Sequence, residues 1–131
     1  MRRIKFRAKS KSTKQWIYGY IREIWASKQE DCRYIVCPSM SFENGGWTDS
    51  EETEVIPETI SQFTGLTDKK GVEIYENDIL KSELDWIFAV KWDNENARFI
   101  GYSPTNQLIY VGREPKAIVI GNILDNHELM Q

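Results

Sequence analysis

The sequence of 131 residues lacks most of the residue types and motifs on which common catalytic and metal sites depend. It has a single histidine, His127, and two cysteines, Cys32 and Cys37. A structural zinc site usually takes four histidine or cysteine ligands, and the sequence has only these three residues. A Ser–His–Asp triad would need His127, and no serine stands in the glycine-flanked motif of a nucleophile elbow. We therefore expect no metal, no cofactor and no catalytic residue, with His127 at the surface.

Long apolar runs and phosphate-binding loops are absent as well. No window of about 18 apolar residues occurs, so the sequence predicts no membrane-spanning helix. The basic N-terminus has no apolar segment behind it, unlike a secretory signal. Gly45-Gly46 is followed by neither the lysine nor the helix that a phosphate-binding loop requires. We therefore expect a cytoplasmic protein with no membrane partner.

The two cysteines lie in or beside a strand-like run and are five residues apart. Along one straight strand, this spacing places Cys32 and Cys37 on opposite faces and roughly 16 Å apart, too far for a disulfide. If Cys32 lay in a turn, the pair could approach. A reduced state in the cytosol is the simpler interpretation.

Carboxylate pairs are the remaining candidates for acid–base chemistry. The acidic residues considered are Glu73, Glu76, Asp78 and Asp93. In the turn at residues 75–78, the sequence favours Asp78 as an acceptor for backbone N–H groups and Glu76 as a solvated side chain. We therefore predict that the protein is not an enzyme.

Short alternating apolar segments separated by glycine, proline and polar turns predict a mainly β fold. The length fits one domain over residues 1–131, and aromatic residues, 12% of the chain, supply large apolar area. Strands are predicted at 3–8, 16–25, 33–37, 79–84, 86–92, 98–102, 108–111 and 117–120. Such strands form either a small barrel or two small packed antiparallel sheets, here with a short helical turn within residues 125–130. Residues 39–54 are predicted to form a mobile surface loop.

The stretch from residue 54 to residue 80 has the clearest local signals. Residues 59–66 carry apolar side chains at irregular spacing, which is typical of a loop packed onto a core. Turns are predicted at 68–71, where Gly71 can take positive φ without steric cost, and at 75–78.

These segments resemble the YopX family of phage and prophage proteins, which has no established activity. The residues that carry the resemblance are Ile4-Lys5-Phe6-Arg7-Ala8, Trp16-Ile17-Tyr18-Gly19-Tyr20, Phe63-Thr64-Gly65-Leu66-Thr67-Asp68, Gly71, Glu73-Ile74-Tyr75-Glu76, Asp78-Ile79, Val119-Ile120-Gly121-Asn122-Ile123, Asn126 and Glu128-Leu129. The resemblance spans nearly the whole chain and implies a small, SH3-like, mostly β fold. The family usually has glycine where this chain has Asn77. Because asparagine tolerates positive φ best after glycine, we expect the turn to survive.

Positive charge is concentrated at one end of the chain. Residues 1–14 carry seven basic and no acidic residues, whereas the remainder carries ten basic and twenty acidic ones. Arg3, Lys5 and Arg7 share one face of the first predicted strand. The next strand offers an aromatic face of Trp16, Tyr18 and Tyr20. Basic residues interleaved with aromatic ones suit single-stranded nucleic acid. In the alternative interpretation, the basic residues protect a solvated edge strand and the aromatic residues belong to the core.

The sequence thus leaves two kinds of function open. The first is a non-enzymatic phage or prophage accessory domain that acts as a protein-interaction or self-assembly module. Trp47, near the tip of the predicted loop, either folds back onto the body or marks a partner contact. The second is a nucleic-acid-binding module that uses Arg3, Lys5 and Arg7.

Overall fold

A computed structural model describes residues 3–24, 33–37, 40–43, 46–49, 52–113 and 116–131. Within these ranges the chain forms thirteen β-strands and three short 3-10 turns. The strands are β1 Phe6–Lys9, β2 Trp16–Ile24, β3 Arg33–Cys37, β4 Met40–Glu43, β5 Gly46–Asp49, β6 Thr53–Glu54, β7 Ser61–Thr67, β8 Glu73–Tyr75, β9 Asp78–Lys81, β10 Ile87–Asp93, β11 Arg98–Tyr102, β12 Leu108–Ile109 and β13 Ile118–Asn122. The 3-10 turns are Pro57–Thr59, Val111–Arg113 and His127–Met130.

The fold is mainly β, as predicted, and is built from antiparallel sheets. One sheet has the order β6-β3-β2-β1-β7-β8, a second has the order β12-β11-β10-β9-β13, and β4 and β5 form a separate hairpin. Among the described strands, neither sheet closes into a barrel. The predicted helical turn near the end of the chain is present as the 3-10 turn His127–Met130.

The chain divides into two compact units, residues 3–62 and 63–131, and the division falls within β7. In the first unit, Ser61 and Gln62 of β7 pair with β1. In the second unit, Phe63 and Thr67 pair with β8, with an irregular register between them. Each unit has its own hydrophobic cluster.

The core of the first unit follows from the alternation of β1 and β2. Ala8 pairs with Ile17 across the hairpin, and both contribute to the cluster beneath it. The centre of this cluster is Ala8, Val36 and Val55, and Ile17, Ile21, Tyr34 and Ile60 pack against it. One face of the β1–β2 hairpin therefore packs against the core of the first unit.

The core of the second unit is larger and lies against the five-stranded sheet. Its buried members are Ile74, Leu80, Phe88, Val90, Val111 and Ala117. Phe88 and Val90 are two residues apart in β10, so they point to the same face, and both are fully buried. The strand predicted for this segment is confirmed, but burial does not alternate along it, because Ala89 is also fully buried and Trp92 is 41% exposed.

Two segments predicted as loops contain strands. Residues 59–66 include most of β7, and residues 39–54 include β4, β5 and β6. The apolar pattern did not mark β7 because small hydroxyl side chains are buried there. Thr64 donates its hydroxyl hydrogen to the carbonyl of Ile74 at 2.8 Å, which satisfies the polar group inside the protein.

Both predicted tight turns have the backbone conformation that their residues suggested. Gly71 has φ +81° and Asn77 has φ +71°. Asn77 also links three segments, because its N–H donates to Val90 and its carbonyl accepts from Ile123, each at 2.8 Å. The turn is thus part of the hydrogen-bonding framework of the second unit.

Replacing Asn77 by alanine is expected to lower the free energy of unfolding by about 1 kcal/mol, because the Cβ atom of alanine is crowded in the left-handed backbone conformation. Asn77→Gly should leave stability nearly unchanged, since glycine takes this conformation without that cost. Urea denaturation of both variants measures the difference. Equal losses in the two variants would show that the asparagine side chain, and not backbone strain, determines the effect.

Candidate functional site

The outward face of the β1–β2 hairpin brings together the basic and aromatic residues singled out in the sequence. Arg7 pairs with Tyr18, and Lys9 pairs with Trp16. Directly opposed residues of an antiparallel pair project to the same face. Because Ala8 and Ile17 occupy the core face, the basic residues of β1 and the aromatic residues of β2 share the opposite one.

Two tyrosines dominate the exposed part of this face. Tyr18 is 51% exposed and Tyr20 is 55% exposed, and the intervening Gly19 is buried. The alternative in which these aromatic residues belong to the core is therefore wrong for both tyrosines. Two residues along a strand span roughly 6.6 Å, so their rings project side by side from the same surface.

Trp16 has a different environment from the two tyrosines. The guanidinium carbon of Arg7 lies 4.5 Å from the centroid of the Trp16 ring, and the Lys9 Nζ atom lies 5.4 Å from it. Both distances fit cation–π contacts. The indole is half-buried and contacts these cations, so it supports the face and is less available as a stacking surface.

The predicted basic strip is not uniformly accessible. Arg3 is exposed and Lys5 is half-buried, and both precede β1, which begins at Phe6. Arg7 is only 6% exposed, so its guanidinium is withdrawn from solvent. The edge-strand interpretation is wrong, because β1 lies between β2 and β7. Within β1, Lys9 is more exposed than Arg7 and joins the basic residues of the face.

Acidic residues stand near this face and moderate its charge. Arg22 of β2 forms an ion pair with Glu52, and Lys11 forms one with Glu54 at 3.0 Å. These pairs lie at the surface, where each contributes little to stability. Each pair places a negative charge next to a positive one beside the hairpin.

The sequence also singled out Trp47, the two cysteines and His127. Trp47 belongs to β5, but its side chain lies outside the described part of the structure, so its role as a partner contact stays a prediction. Cys32 also lies outside the described residues, and Cys37 is buried in β3. His127 is exposed, with its Nδ1 atom 3.9 Å from a carboxylate oxygen of Glu128.

The acidic candidates for acid–base chemistry have structural partners. Asp78 is 1% exposed and accepts the backbone N–H of Tyr75 at 2.8 Å, as the sequence predicted. Asp93 caps the β10–β11 turn, and hydrogen bonds from Asn96 and Arg98 lower its pKa despite partial desolvation. Across the described ranges, no group of three or more potential ligand residues could hold a metal ion. The same ranges contain no helix long and apolar enough to cross a membrane.

Asp68 makes more contacts than the turn predicted at residues 68–71 requires. Its carboxylate accepts the backbone N–H of Lys70 at 2.8 Å, that of Val72 at 2.9 Å and that of Val119 at 2.9 Å. The first two contacts follow from local turn chemistry. The third joins residues 51 positions apart, and no local pattern in the sequence indicates it.

The fold and the hairpin face define a mainly β protein with an exposed surface of basic and aromatic residues. The family model described as YopX protein matches residues 5–131, so the chain belongs to the YopX family. A solved structure, protein EF1440 from Enterococcus faecalis, is similar over 100% of both chains, with 22% sequence identity and a TM-score of 0.70. At this identity the similarity establishes the fold alone. No curated protein matches the chain.

Proposed function

We propose that this YopX protein is a non-enzymatic interaction module whose β1–β2 face binds single-stranded nucleic acid. The observation that carries the proposal is the pair of exposed tyrosines, Tyr18 and Tyr20, on the same sheet face as the basic residues of β1. The proposal includes a cytoplasmic location, which is inferred from the sequence, and a phage or prophage origin and an SH3-like fold, which are inferred from the resemblance to the family.

Stacking on the tyrosine rings accounts for affinity without a base-specific contact. Each base offers a π-face, and stacking on an aromatic side chain contributes about 1–3 kcal/mol per base. The backbone positions of the two tyrosines are roughly 6.6 Å apart along β2, so the two rings can stack on two different unpaired bases of one extended strand. Bases within a duplex are stacked on one another, so their faces are not available to Tyr18 and Tyr20.

The cationic residues supply the second part of the interaction. Lys9 stands on β1 opposite β2, which carries the tyrosines, and Lys5 directly precedes β1; both can approach the phosphates. Arg7 is buried against Trp16, so it positions the face and does not reach the ligand. The interaction surface is therefore assigned to Lys5, Lys9, Tyr18 and Tyr20, with Arg3 at its margin.

Fluorescence anisotropy with labelled dT20 and rU20 at low and at physiological salt tests this function. We expect binding that weakens as salt rises, because phosphate neutralisation releases counterions. The double variant Tyr18→Ala/Tyr20→Ala should lose at least about thirtyfold in affinity, because two stacking interactions are removed. Lys5→Ala/Lys9→Ala should reduce the salt dependence, by a slope of about 0.7 for each phosphate that is no longer neutralised.

Tyr110→Ala is the matched control, since Tyr110 is 49% exposed and belongs to the second unit. It should bind both oligonucleotides like the unmodified chain. Circular dichroism establishes that each variant keeps its sheet content. Absence of binding at low salt would rule out the proposal, as would affinity that does not change when both tyrosines are removed.

A further inference from the structure

Lysine side chains gather around one surface hollow of the second unit, here called the lysine hollow. Its volume is about 420 Å³. Residues 63–131 carry seven basic and eleven acidic residues, so this part of the chain is acidic as a whole. Four of its five lysines nevertheless line the hollow, together with Ser82 and Glu83. These lysines are Lys69, Lys70, Lys81 and Lys116. Such a concentration of one sign of charge attracts ligands of the opposite sign.

The positive charge of the lysine hollow is only partly neutralised by its own acidic residues. Its lining has two carboxylates, those of Glu83 and Asp85, against the four ammonium groups. Asp85 lies 3.3 Å from the Lys81 Nζ atom, but its side chain is 82% exposed, so water screens this pair. Among the described residues, Lys70 forms no ion pair. The hollow therefore keeps an excess of two positive charges.

Glu83 shows how the lysine hollow holds an anionic group. One oxygen of its carboxylate lies 3.7 Å from the Lys69 Nζ atom, and the other lies 3.4 Å from the Lys116 Nζ atom. Lysines from two separate segments thus contact one anion at two of its oxygens. A phosphate group presents three such acceptor oxygens, and lysine binds it as a point charge.

Backbone hydrogen bonds hold together the segments that carry the lysines. Lys69 donates its N–H to the carbonyl of Ala117 at 3.1 Å, which joins the turn after β7 to the segment before β13. Lys81 pairs with Ile118 where β9 meets β13. The backbone positions of the lysines therefore converge before a ligand binds, which lowers the entropy cost of binding.

Ser82 adds a hydrogen-bond donor to the lining. The residue is 6% exposed, and its hydroxyl oxygen accepts the backbone N–H of Trp86 at 3.1 Å. The hydroxyl hydrogen has no acceptor among the described residues. A hydroxyl group both accepts and donates, and buried polar groups normally have their partners. An anion with acceptor oxygens in the hollow would provide the missing one.

We propose that the lysine hollow binds a phosphate group that carries two negative charges. The excess of two positive charges in the lining matches a phosphate monoester, whose charge is about −1.5 to −2 at pH 7. The volume of about 420 Å³ lies within the range of about 300–1,000 Å³ that is typical of small-molecule sites. The phosphate can therefore belong to a small molecule or to the end of a nucleic-acid chain. This site goes beyond the function proposed for the β1–β2 face.

NMR titrations with thymidine 5′-monophosphate, with thymidine as the uncharged comparison, test the site. We expect saturable shifts of the backbone amides in residues 69–70, 81–85 and 116–118 with the monophosphate, and none with thymidine. Binding should weaken as the pH falls from about 7.5 to about 5, because the phosphate takes up a proton with a pKa of about 6 and loses its second charge. The lysines stay protonated throughout this range.

Variants of the lining separate charge recognition from unfolding. Lys70→Ala/Lys81→Ala should weaken binding at least about tenfold, because two attractive charges are removed. Lys91→Ala is the matched control, since Lys91 is the fifth lysine of residues 63–131 and does not line the hollow. Glu83→Gln should instead tighten binding about fivefold, because it removes a competing negative charge and keeps the size of the side chain. A gain in affinity cannot result from misfolding.

Shifts that spread over the chain without saturation would overturn the proposal. So would an equal loss of affinity in Lys91→Ala and in Lys70→Ala/Lys81→Ala, or unchanged affinity in Glu83→Gln. A titration with 5′-phosphorylated dT6 identifies the source of the group. Tighter binding of dT6 at the same amides assigns it to a nucleic-acid end, and equal or weaker binding assigns it to a small molecule. The shifts are read in the second unit, so failure here leaves the hairpin proposal untouched.

Discussion

Replacing Asp68 by alanine is expected to lower the free energy of unfolding by about 2–4 kcal/mol at neutral pH. The carboxylate is 8% exposed and accepts three backbone N–H groups, two from its own turn and one from Val119. The substitution leaves these three N–H groups without their acceptor. A hydrogen bond to a charged group contributes more to stability than a hydrogen bond to a neutral group. Urea denaturation at pH 7 measures the loss.

The same residue predicts how stability depends on pH. Burial acts to raise the pKa of Asp68, but hydrogen bonds from Val119, Val72 and Lys70 outweigh it and lower the pKa below its ordinary value of 3.8. The folded state therefore favours the ionised form. This stabilisation is present above about pH 4 and is lost as pH falls through the lowered folded-state pKa. Asp68→Ala should thus lose less stability than the unmodified chain between pH 4 and pH 2.

Asp93→Ala is the appropriate comparison, because Asp93 also accepts hydrogen bonds within a turn but joins only neighbouring residues. Its removal should cost less than that of Asp68. A loss below 1 kcal/mol for Asp68→Ala would show that the bond to Val119 does not contribute to holding β13.

Gly101→Ala is expected to destabilise the second unit by about 1–3 kcal/mol through overpacking. A methyl group at this position would lie 2.7 Å from the Phe88 Cδ2 atom and 3.1 Å from the carbonyl oxygen of Ile109. Phe88 is fully buried and the carbonyl belongs to the neighbouring strand, so displacing either of them would disturb packing or strand pairing. Thermal and urea denaturation should agree on the loss.

Gly112→Ala isolates this steric effect, because the added methyl group would meet only Leu66, at 3.9 Å. It should leave stability within about 0.5 kcal/mol of the unmodified chain. A double variant, Gly101→Ala with Phe88→Leu, should recover part of the loss when compared with the two single variants. Additive losses would contradict a clash between the two side chains.

Local chemistry explains why parts of the fold were predictable from the sequence. The alternation in β1, β2 and β10 is strong, and β11 was predicted with its observed bounds, residues 98–102. The turns at Gly71 and Asn77 carry their own conformational signals. Strand β7 was missed because its buried side chains include Ser61 and Thr64, whose hydroxyl groups look solvated in a sequence.

The candidate site was only partly predictable, because exposure depends on contacts between distant segments. Period-two alternation placed Arg7 on the outer face correctly, but its burial against Trp16 arises from packing. The same pattern could not distinguish exposed tyrosines from buried ones. The surface hollow that Trp86 and Leu108 line together was not predicted, because these residues are 22 positions apart and no local pattern connects them.

The pairing of β9 with β13 has a consequence for how the chain folds. Asp78 pairs with Asn122 and Lys81 pairs with Ile118, so residues 118–122 must be present before β9 gains its second neighbour. Contacts between such distant residues form slowly, typically in milliseconds to seconds for small all-β domains. During synthesis, β9 would therefore expose an apolar strand edge until β13 emerges, and this interval is when aggregation competes most strongly with folding.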